Sequence, residues 1–152
     1  MRNLKRSTCV VLFAGLIFGC AKSDEQAADT ATAASGLAAA DIAGRWNMRA
    51  VPFSGDTTPT TFVLTATAEN DGWTLTFPGR PTPVPTRIRF DADSIVTEAG
   101  PYESVRRKGV QVRTKGVMRL QGDTLVGTTI ARYTTQGADS VLMLRTSGIR
   151  AP

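Results

Sequence analysis

Apolar and polar residues alternate in three segments between residues 60 and 90, and this two-residue period is the feature that most limits how the chain can fold. The alternation runs through the segments TTFVLTATAE, GWTLTF and TRIRF. Its main apolar positions are Phe62, Leu64, Ala66, Trp73, Leu75, Phe77, Ile88 and Phe90. Side chains two residues apart share one face of a β-strand, whereas a helix needs a period of 3.6. The pattern therefore predicts strands that are buried on one face.

Turn signals separate these segments. Asn70-Asp71-Gly72 lies between the first two, and Gln121-Gly122-Asp123 lies between two later apolar runs. Asp-Gly is a strong signal for a tight hairpin turn. No segment shows helical periodicity, and roughly eight short strands fit between residue 41 and the end of the sequence. We predict an all-β fold, a small antiparallel up-and-down β-barrel, with a β-sandwich as the alternative.

The first residues have the organisation of a secretory signal peptide. The segment Met1–Arg6 contains three basic residues and no acidic one, and residues 9–19 are apolar and uncharged. An apolar run of about 11 residues is too short to cross a bilayer as a helix, which takes roughly 20. It has the length of the apolar region of a signal peptide. Residues 1–19 are therefore predicted to be removed on export.

A cysteine follows this apolar run directly. The stretch Ile17-Phe18-Gly19-Cys20 resembles the lipobox of bacterial lipoproteins. The resemblance implies that Cys20 is lipidated and becomes the first residue after cleavage. Two or more acyl chains anchor a protein stably, at about 0.8 kcal/mol per buried CH₂. Ala21 in the next position implies the outer membrane, facing the periplasm. The alternative is an ordinary signal peptide or a tethered N-terminus in which the cysteine is incidental.

The segment after Cys20 differs from the rest of the chain in composition. Residues 21–40 are small and polar and include no aromatic residue. Such a composition buries too little apolar surface to fold alone. Residues 20–40 are therefore predicted to be a lipidated cysteine with a flexible Ala-rich tether, the alternative being a helix from about Gly36 to Ile42. Residues 41–152 are predicted to form a single all-β domain.

Charge and residue usage argue against several functions. The chain has 18 basic and 13 acidic residues. Loss of residues 1–19 would leave 15 basic residues and a net charge of +2. This charge is small, so we expect the protein not to bind nucleic acid. The sequence contains no histidine, the commonest general base and metal ligand. Beyond Cys20 no cysteine remains for a disulfide or a zinc site. We therefore expect no metal, no cofactor, no catalytic residues and no enzymatic activity.

The stretch Gly44-Arg45-Trp46 opens the first predicted strand. It resembles the Gly-x-Trp motif of the lipocalin and calycin barrels. The resemblance implies that Trp46 closes the narrow end of the barrel and packs against an arginine from near the C-terminus. Arg145, on the last predicted strand, is the expected partner, and Arg150 is the alternative. A guanidinium over an indole ring is a favourable cation–π pair. Trp46 would otherwise be a core residue of another small β fold.

A lipocalin-like barrel would have either a filled core or room for one small ligand. The candidate ligand-lining residues are Phe62, Leu64, Leu75, Phe77, Ile88 and Phe90. The leading functional hypothesis is a non-enzymatic binding module for an apolar small molecule or lipid. The alternative is a structural or interaction protein of the cell envelope with a filled core. Such a protein would contact a protein partner or anionic lipid through its surface.

A run of basic residues is the second candidate site. It comprises Arg106, Arg107 and Lys108, and further basic residues follow at Arg113, Lys115 and Arg119. Arginine forms bidentate bonds with phosphate, so the run is a candidate contact for anionic lipid head groups. The alternative is a solvated strand face that protects a sheet edge.

Overall fold

The structure is a computed structural model that describes residues 36–152. The predicted signal peptide, Cys20 and most of the predicted tether lie outside the described residues, and they stay predictions. The described chain is almost entirely β-structure. Its elements are α1 (Ala39–Ile42), β1 (Gly44–Pro52), β2 (Thr60–Ala66), β3 (Thr74–Thr76), β4 (Val84–Asp91), β5 (Ser94–Glu103), β6 (Gln111–Gln121), β7 (Thr124–Tyr133), a 3₁₀-helix (Ala138–Ser140) and β8 (Val141–Arg150).

The eight strands form a closed antiparallel barrel in sequence order. Each strand pairs with the next, and β8 returns to pair with β1, from Trp46 opposite Arg150 to Pro52 opposite Leu144. Closure leaves the sheet without a free edge. The predicted up-and-down barrel is confirmed, and the β-sandwich alternative is wrong. Residues 36–152 thus contain every strand of the barrel, its complete hydrogen-bonded perimeter and its core.

The interior consists of two hydrophobic clusters, one towards each end of the barrel. The closed-end cluster includes Trp46, Trp73, Ile95 and Leu125. The open-end cluster includes Ala50, Phe77, Val84, Ala99, Tyr102, Val112, Ala131, Tyr133 and Leu144. Phe62 and Leu75 pack against both clusters. Facing side chains from neighbouring strands therefore fill both ends, and the two clusters meet at the middle of the barrel.

A β-bulge interrupts β5. Ala99 lies opposite Thr114 on β6 and Tyr102 lies opposite Val112, so two residues of β5 oppose one of β6 between these pairs. The extra residue reverses the alternation, because Tyr102 would otherwise face outwards. Gly100 in the bulge has a φ of +106°, and a Cβ there would lie 2.6 Å from the carbonyl oxygen of Val112. Glycine is therefore required at this position.

The chain packs against the barrel before residue 41. Ala39 and Ile42 are buried in the closed-end cluster, and Leu37 packs against it. The amide of Ala38 donates to the Asp41 carboxylate at 2.8 Å and closes the turn of α1. Leu37 and Ala39, which fall within the predicted tether, therefore pack against the barrel, whereas Ala38 and Ala40 are exposed. The Ala-rich helix considered as the alternative is present as this four-residue turn.

Candidate functional site

Two buried tryptophans close one end of the barrel. Trp46 is 0% exposed and its indole N–H donates to the Ile42 carbonyl at 2.8 Å. Trp73 is 1% exposed and donates to the Glu69 carbonyl at 2.9 Å. Burying an indole costs free energy unless its N–H finds a partner, and both bonds meet that requirement. Trp46 and Trp73 are therefore buried core residues with satisfied indole groups.

The arginine over Trp46 is Arg150, and the prediction of Arg145 is wrong. The Arg150 guanidinium lies 4.5 Å from the centre of the Trp46 ring and donates to the carbonyls of Ala43 and Asp41 at 2.7 and 2.6 Å. Arg145 faces outwards on the same strand, where it lies over Phe53 at 4.7 Å. The reason is strand parity, because residues 145 and 150 differ by an odd number and so lie on opposite faces. Gly44 accommodates the pair, since a Cβ there would lie 3.1 Å from Arg150 Nη1.

A cavity of about 80 Å³ lies inside the barrel on the open-end side of the tryptophans. Of the predicted ligand-lining residues, Phe62, Leu64, Leu75 and Phe77 line it. Ile88 and Phe90 do not, and that part of the prediction is wrong. They face the interior from β4 but pack against the closed-end cluster. The rings of Phe90 and Trp73 form a T-shaped pair with 6.4 Å between their centres. Met48 and Met118 also line the cavity.

Hydroxyl groups interrupt the apolar lining of the cavity. They belong to Thr60, Thr97, Tyr102, Ser104, Thr114, Thr129, Tyr133 and Thr146. The hydroxyls of Thr129 and Thr146 lie 2.8 Å apart and hydrogen-bond to each other. Burial raises the pKa of the Tyr102 hydroxyl, while a hydrogen bond with Thr114 opposes that shift. Tyr102 therefore stays neutral at ordinary pH and presents a hydroxyl to the cavity.

Sequence alternation misses part of this lining. Tyr133 could have been found, because it continues the inward series Leu125, Thr129 and Ala131 along β7. Tyr102 could not, because the bulge reverses its direction. The contribution of Tyr102 depends on register with β6, which the local pattern does not encode.

Arg106 spans the open end. Its side chain is 18% exposed and pairs with the Asp56 carboxylate at 3.1 Å. It also donates to the Thr58 carbonyl at 2.7 Å and to the Thr60 hydroxyl at 3.1 Å. These bonds join the loop between β5 and β6 to the loop between β1 and β2. Hydrogen bonds from Thr58, with a smaller contribution from Arg106, lower the pKa of Asp56, so the ion pair is present at neutral pH.

The other basic residues of the predicted run differ from Arg106 in their surroundings. The Arg107 guanidinium lies 4.0 Å from the centre of the Tyr133 ring and donates to the Asp139 carbonyl. Lys108 is exposed in the same loop. The structure therefore brings Arg106, Arg107 and Lys108 together at the open end, but the guanidinium groups of the two arginines already bond to the barrel's own loops.

Residues 36–152 include no group of three or more histidine, cysteine, aspartate or glutamate residues placed to bind a metal ion. Within the same residues, no helix has the length and apolar character needed to cross a membrane. Of the described residues that line the cavity, Arg106 is the only charged one. The chemistry that the cavity offers to a ligand is therefore apolar contact and hydrogen bonding to neutral hydroxyls.

No family model, no curated protein and no solved structure matches this chain. The resemblance of the Gly44-Arg45-Trp46 stretch to the lipocalin and calycin motif therefore stays a prediction from the sequence.

Proposed function

We propose that this protein is a non-enzymatic binding module whose barrel holds one small, neutral and mainly apolar molecule. The observation that supports the proposal is the cavity of about 80 Å³, which is lined by aromatic, aliphatic and hydroxyl groups. Close-packed interiors rarely leave a void much larger than a water molecule. A space of this size beside buried hydroxyls therefore suits a ligand with an apolar body and one hydrogen-bonding group.

The dimensions restrict the ligand class. An engineered cavity of about 150 Å³ accepts benzene, so this cavity fits only a few non-hydrogen atoms while the mouth is closed. A whole fatty acid or phospholipid would require Arg106 and its loop to move away from Asp56 and Thr58. The charges at the mouth also disfavour a fatty acid, because Arg106 already pairs with Asp56 and is not free to bind a ligand carboxylate. We therefore favour a small neutral molecule over a lipid.

The cellular setting is part of the proposal. The lipobox-like stretch ending at Cys20 supports a lipid-anchored protein of the bacterial cell envelope, at the outer membrane and facing the periplasm. The domain would then meet small molecules of the periplasm. The alternative function, a structural or interaction protein with a filled core, requires that the cavity take up nothing.

Native mass spectrometry of the fragment 36–152, purified from the periplasm, tests the proposal first. Folding is checked by circular dichroism and a cooperative thermal transition. We expect a co-purified small molecule, or uptake of added 1-butanol seen as amide shifts in β6, β7 and β8 by NMR. Added dodecanoate should not bind. A clean apo mass without 1-butanol uptake would overturn the proposal and favour the filled-core alternative, and dodecanoate binding would overturn the restriction to small neutral ligands.

A cavity-filling variant provides the matched control. Ala131→Leu adds three carbons to a residue that lines the cavity, whereas Thr128→Leu introduces the same side chain on the outer face of the same strand. We expect Ala131→Leu to abolish the 1-butanol shifts and Thr128→Leu to leave them unchanged. Equal effects of the two variants would place the probe outside the cavity and contradict the proposal.

A further inference from the structure

One half of the barrel's outer surface differs in charge from the rest. Closure brings β6, β7, β8 and β1 side by side, and their outward residues form continuous rows across the four strands. Two such rows are Lys115, Ile130 and Met143, and Val117, Thr128, Arg145 and Val51. We call the outward side chains of these four strands the acid-free face.

The acid-free face has basic side chains and no acidic ones. Within the four strands, which the structure describes completely, the outward basic residues are Arg45, Arg49, Arg113, Lys115, Arg119, Arg132 and Arg145. The nearest acidic residues in these hairpins lie beyond the strand ends, Asp123 in the turn between β6 and β7 and Asp139 in the 3₁₀-helix before β8. Residues 36–152 contain 14 basic and 10 acidic residues, so the separation of charge is stronger than the total suggests.

Most of these basic groups have no carboxylate partner. At the border with β5, Lys115 pairs with Glu98 at 3.2 Å and Arg119 pairs with Asp93 at 3.4 Å. The other five residues of the face take part in no ion pair among residues 36–152. Their charges are exposed to solvent and act together over distances comparable to the Debye length, about 8 Å in physiological salt.

Exposed apolar side chains lie among these charges. Met143 is 50% exposed and Ile149 is 59% exposed on β8, and Phe53 follows β1, with its amide donating to the Met143 carbonyl at 3.1 Å. Val117 and Val141 are also exposed on this face. Apolar groups that lie between basic ones can enter the head-group layer of a bilayer while the basic groups contact lipid phosphates.

We propose that the acid-free face binds an anionic lipid surface. The charge is complementary to such a surface, and the apolar groups are dispersed over several rows of a convex sheet. A fluid bilayer accepts dispersed contacts of this kind. A folded acidic protein would need carboxylates and apolar groups placed to match the residues of this face. The N-terminal sequence, which predicts an anchor at Cys20, would hold the barrel near a membrane. This proposal does not depend on whether the cavity binds a ligand.

Flotation of the fragment 36–152 with vesicles tests the proposal without the predicted anchor. We expect the fragment to float with phosphatidylcholine vesicles containing about 30% phosphatidylglycerol, and not with pure phosphatidylcholine. Binding should be lost at about 0.5 M salt, where the charges are screened. Failure to float with the anionic vesicles would overturn the proposal.

Charge-reversal variants locate the surface. Arg132→Glu with Arg145→Glu changes two residues of the acid-free face, and Arg87→Glu with Arg89→Glu changes two outward residues of β4 on another face. Both double variants lower the net charge by the same amount. We expect the first to bind anionic vesicles at least tenfold more weakly and the second to bind within about twofold of the parent.

Three results would overturn the proposal. Equal weakening of the two variants would mean that net charge alone attracts the fragment. Unchanged binding of the first variant, or saturable capture of an acidic protein through Arg132 and Arg145 without vesicle binding, would assign the face to another function. Thermal transitions of both variants, measured first, ensure that loss of binding is not loss of folding.

Discussion

At the scale of single residues, the partner of Trp46 is the most informative contact in the molecule. Arg150 covers the indole ring and also bonds to the Ala43 and Asp41 carbonyls, so one side chain joins β8 to the segment that precedes β1. Arg145 makes a similar contact with Phe53, but at the surface. Substitution of each arginine therefore compares the stability contribution of a contact over a buried ring with that of a similar contact over an exposed ring.

We expect Arg150→Ala to lower the free energy of unfolding by about 2 kcal/mol, because it removes a cation–π contact and two charge-assisted hydrogen bonds. Arg145→Ala should lower it by less than about 0.5 kcal/mol, since Phe53 and Arg145 are both exposed. Urea denaturation followed by tryptophan fluorescence measures both values. A larger effect of Arg145→Ala would contradict the assignment of Arg150 as the closing residue.

At the scale of elements, the β5 bulge determines what the cavity contains. It turns Tyr102 inwards, where its ring lies 5.5 Å from that of Phe77, and it places Ser104 just beyond the strand to line the mouth. The Ser104 hydroxyl accepts from the amides of Arg106 and Arg107 at 3.1 and 3.2 Å, so it also shapes the loop that positions Arg106. One extra residue in β5 thus determines which side chains line the cavity and which form its mouth.

We expect Gly100→Ala to destabilise the barrel by about 2 kcal/mol or more, because the new Cβ would meet the Val112 carbonyl and the Arg113 Cα. Gly109→Ala is the control. Gly109 also has a positive φ, of +76°, but nothing lies within 4 Å of its Cβ position. It should lose only about 1 kcal/mol from backbone strain. Thermal denaturation compares the two variants, and equal losses would show that the bulge is not tightly packed.

At the scale of the whole molecule, the two clusters provide separate spectroscopic probes. Both tryptophans of the chain lie in the closed-end cluster and both tyrosines lie in the open-end cluster. Phe62 and Leu75 pack against both clusters, and β1 to β8 form one closed hydrogen-bonded perimeter. Neither end can therefore lose its packing without disturbing the other.

We expect urea unfolding curves from tryptophan fluorescence and from the near-ultraviolet tyrosine signal to coincide, as a two-state transition requires. The variant Phe62→Ala should shift both curves to lower urea concentration by the same amount, because the ring of Phe62 packs against both clusters. Two separated transitions in the parent protein would show that the ends unfold independently.

The regular strands could be predicted from sequence because alternation is a local property. It identified the inward faces of β2 and β3, with Trp73 and Phe77 buried and Leu75 half-buried. It failed for the arginine partner, because Val141, Leu142, Met143 and Leu144 are all apolar and four such residues in a row show no alternation. The inward face of β8 is visible only from its pairing with β1.

The sequence by itself therefore determined the strands, most of their turns and the burial of Trp46, because side-chain period and turn chemistry depend on neighbours along the chain. Only the tertiary structure decided the register of β8 on β1, the inward direction of Tyr102, the volume of the cavity and the bonding of Arg106 to Asp56. It also completed the acid-free face, because closure places β1 beside β8, a strand that follows it by about 90 residues. These features depend on register between distant segments, and register is fixed when the barrel closes.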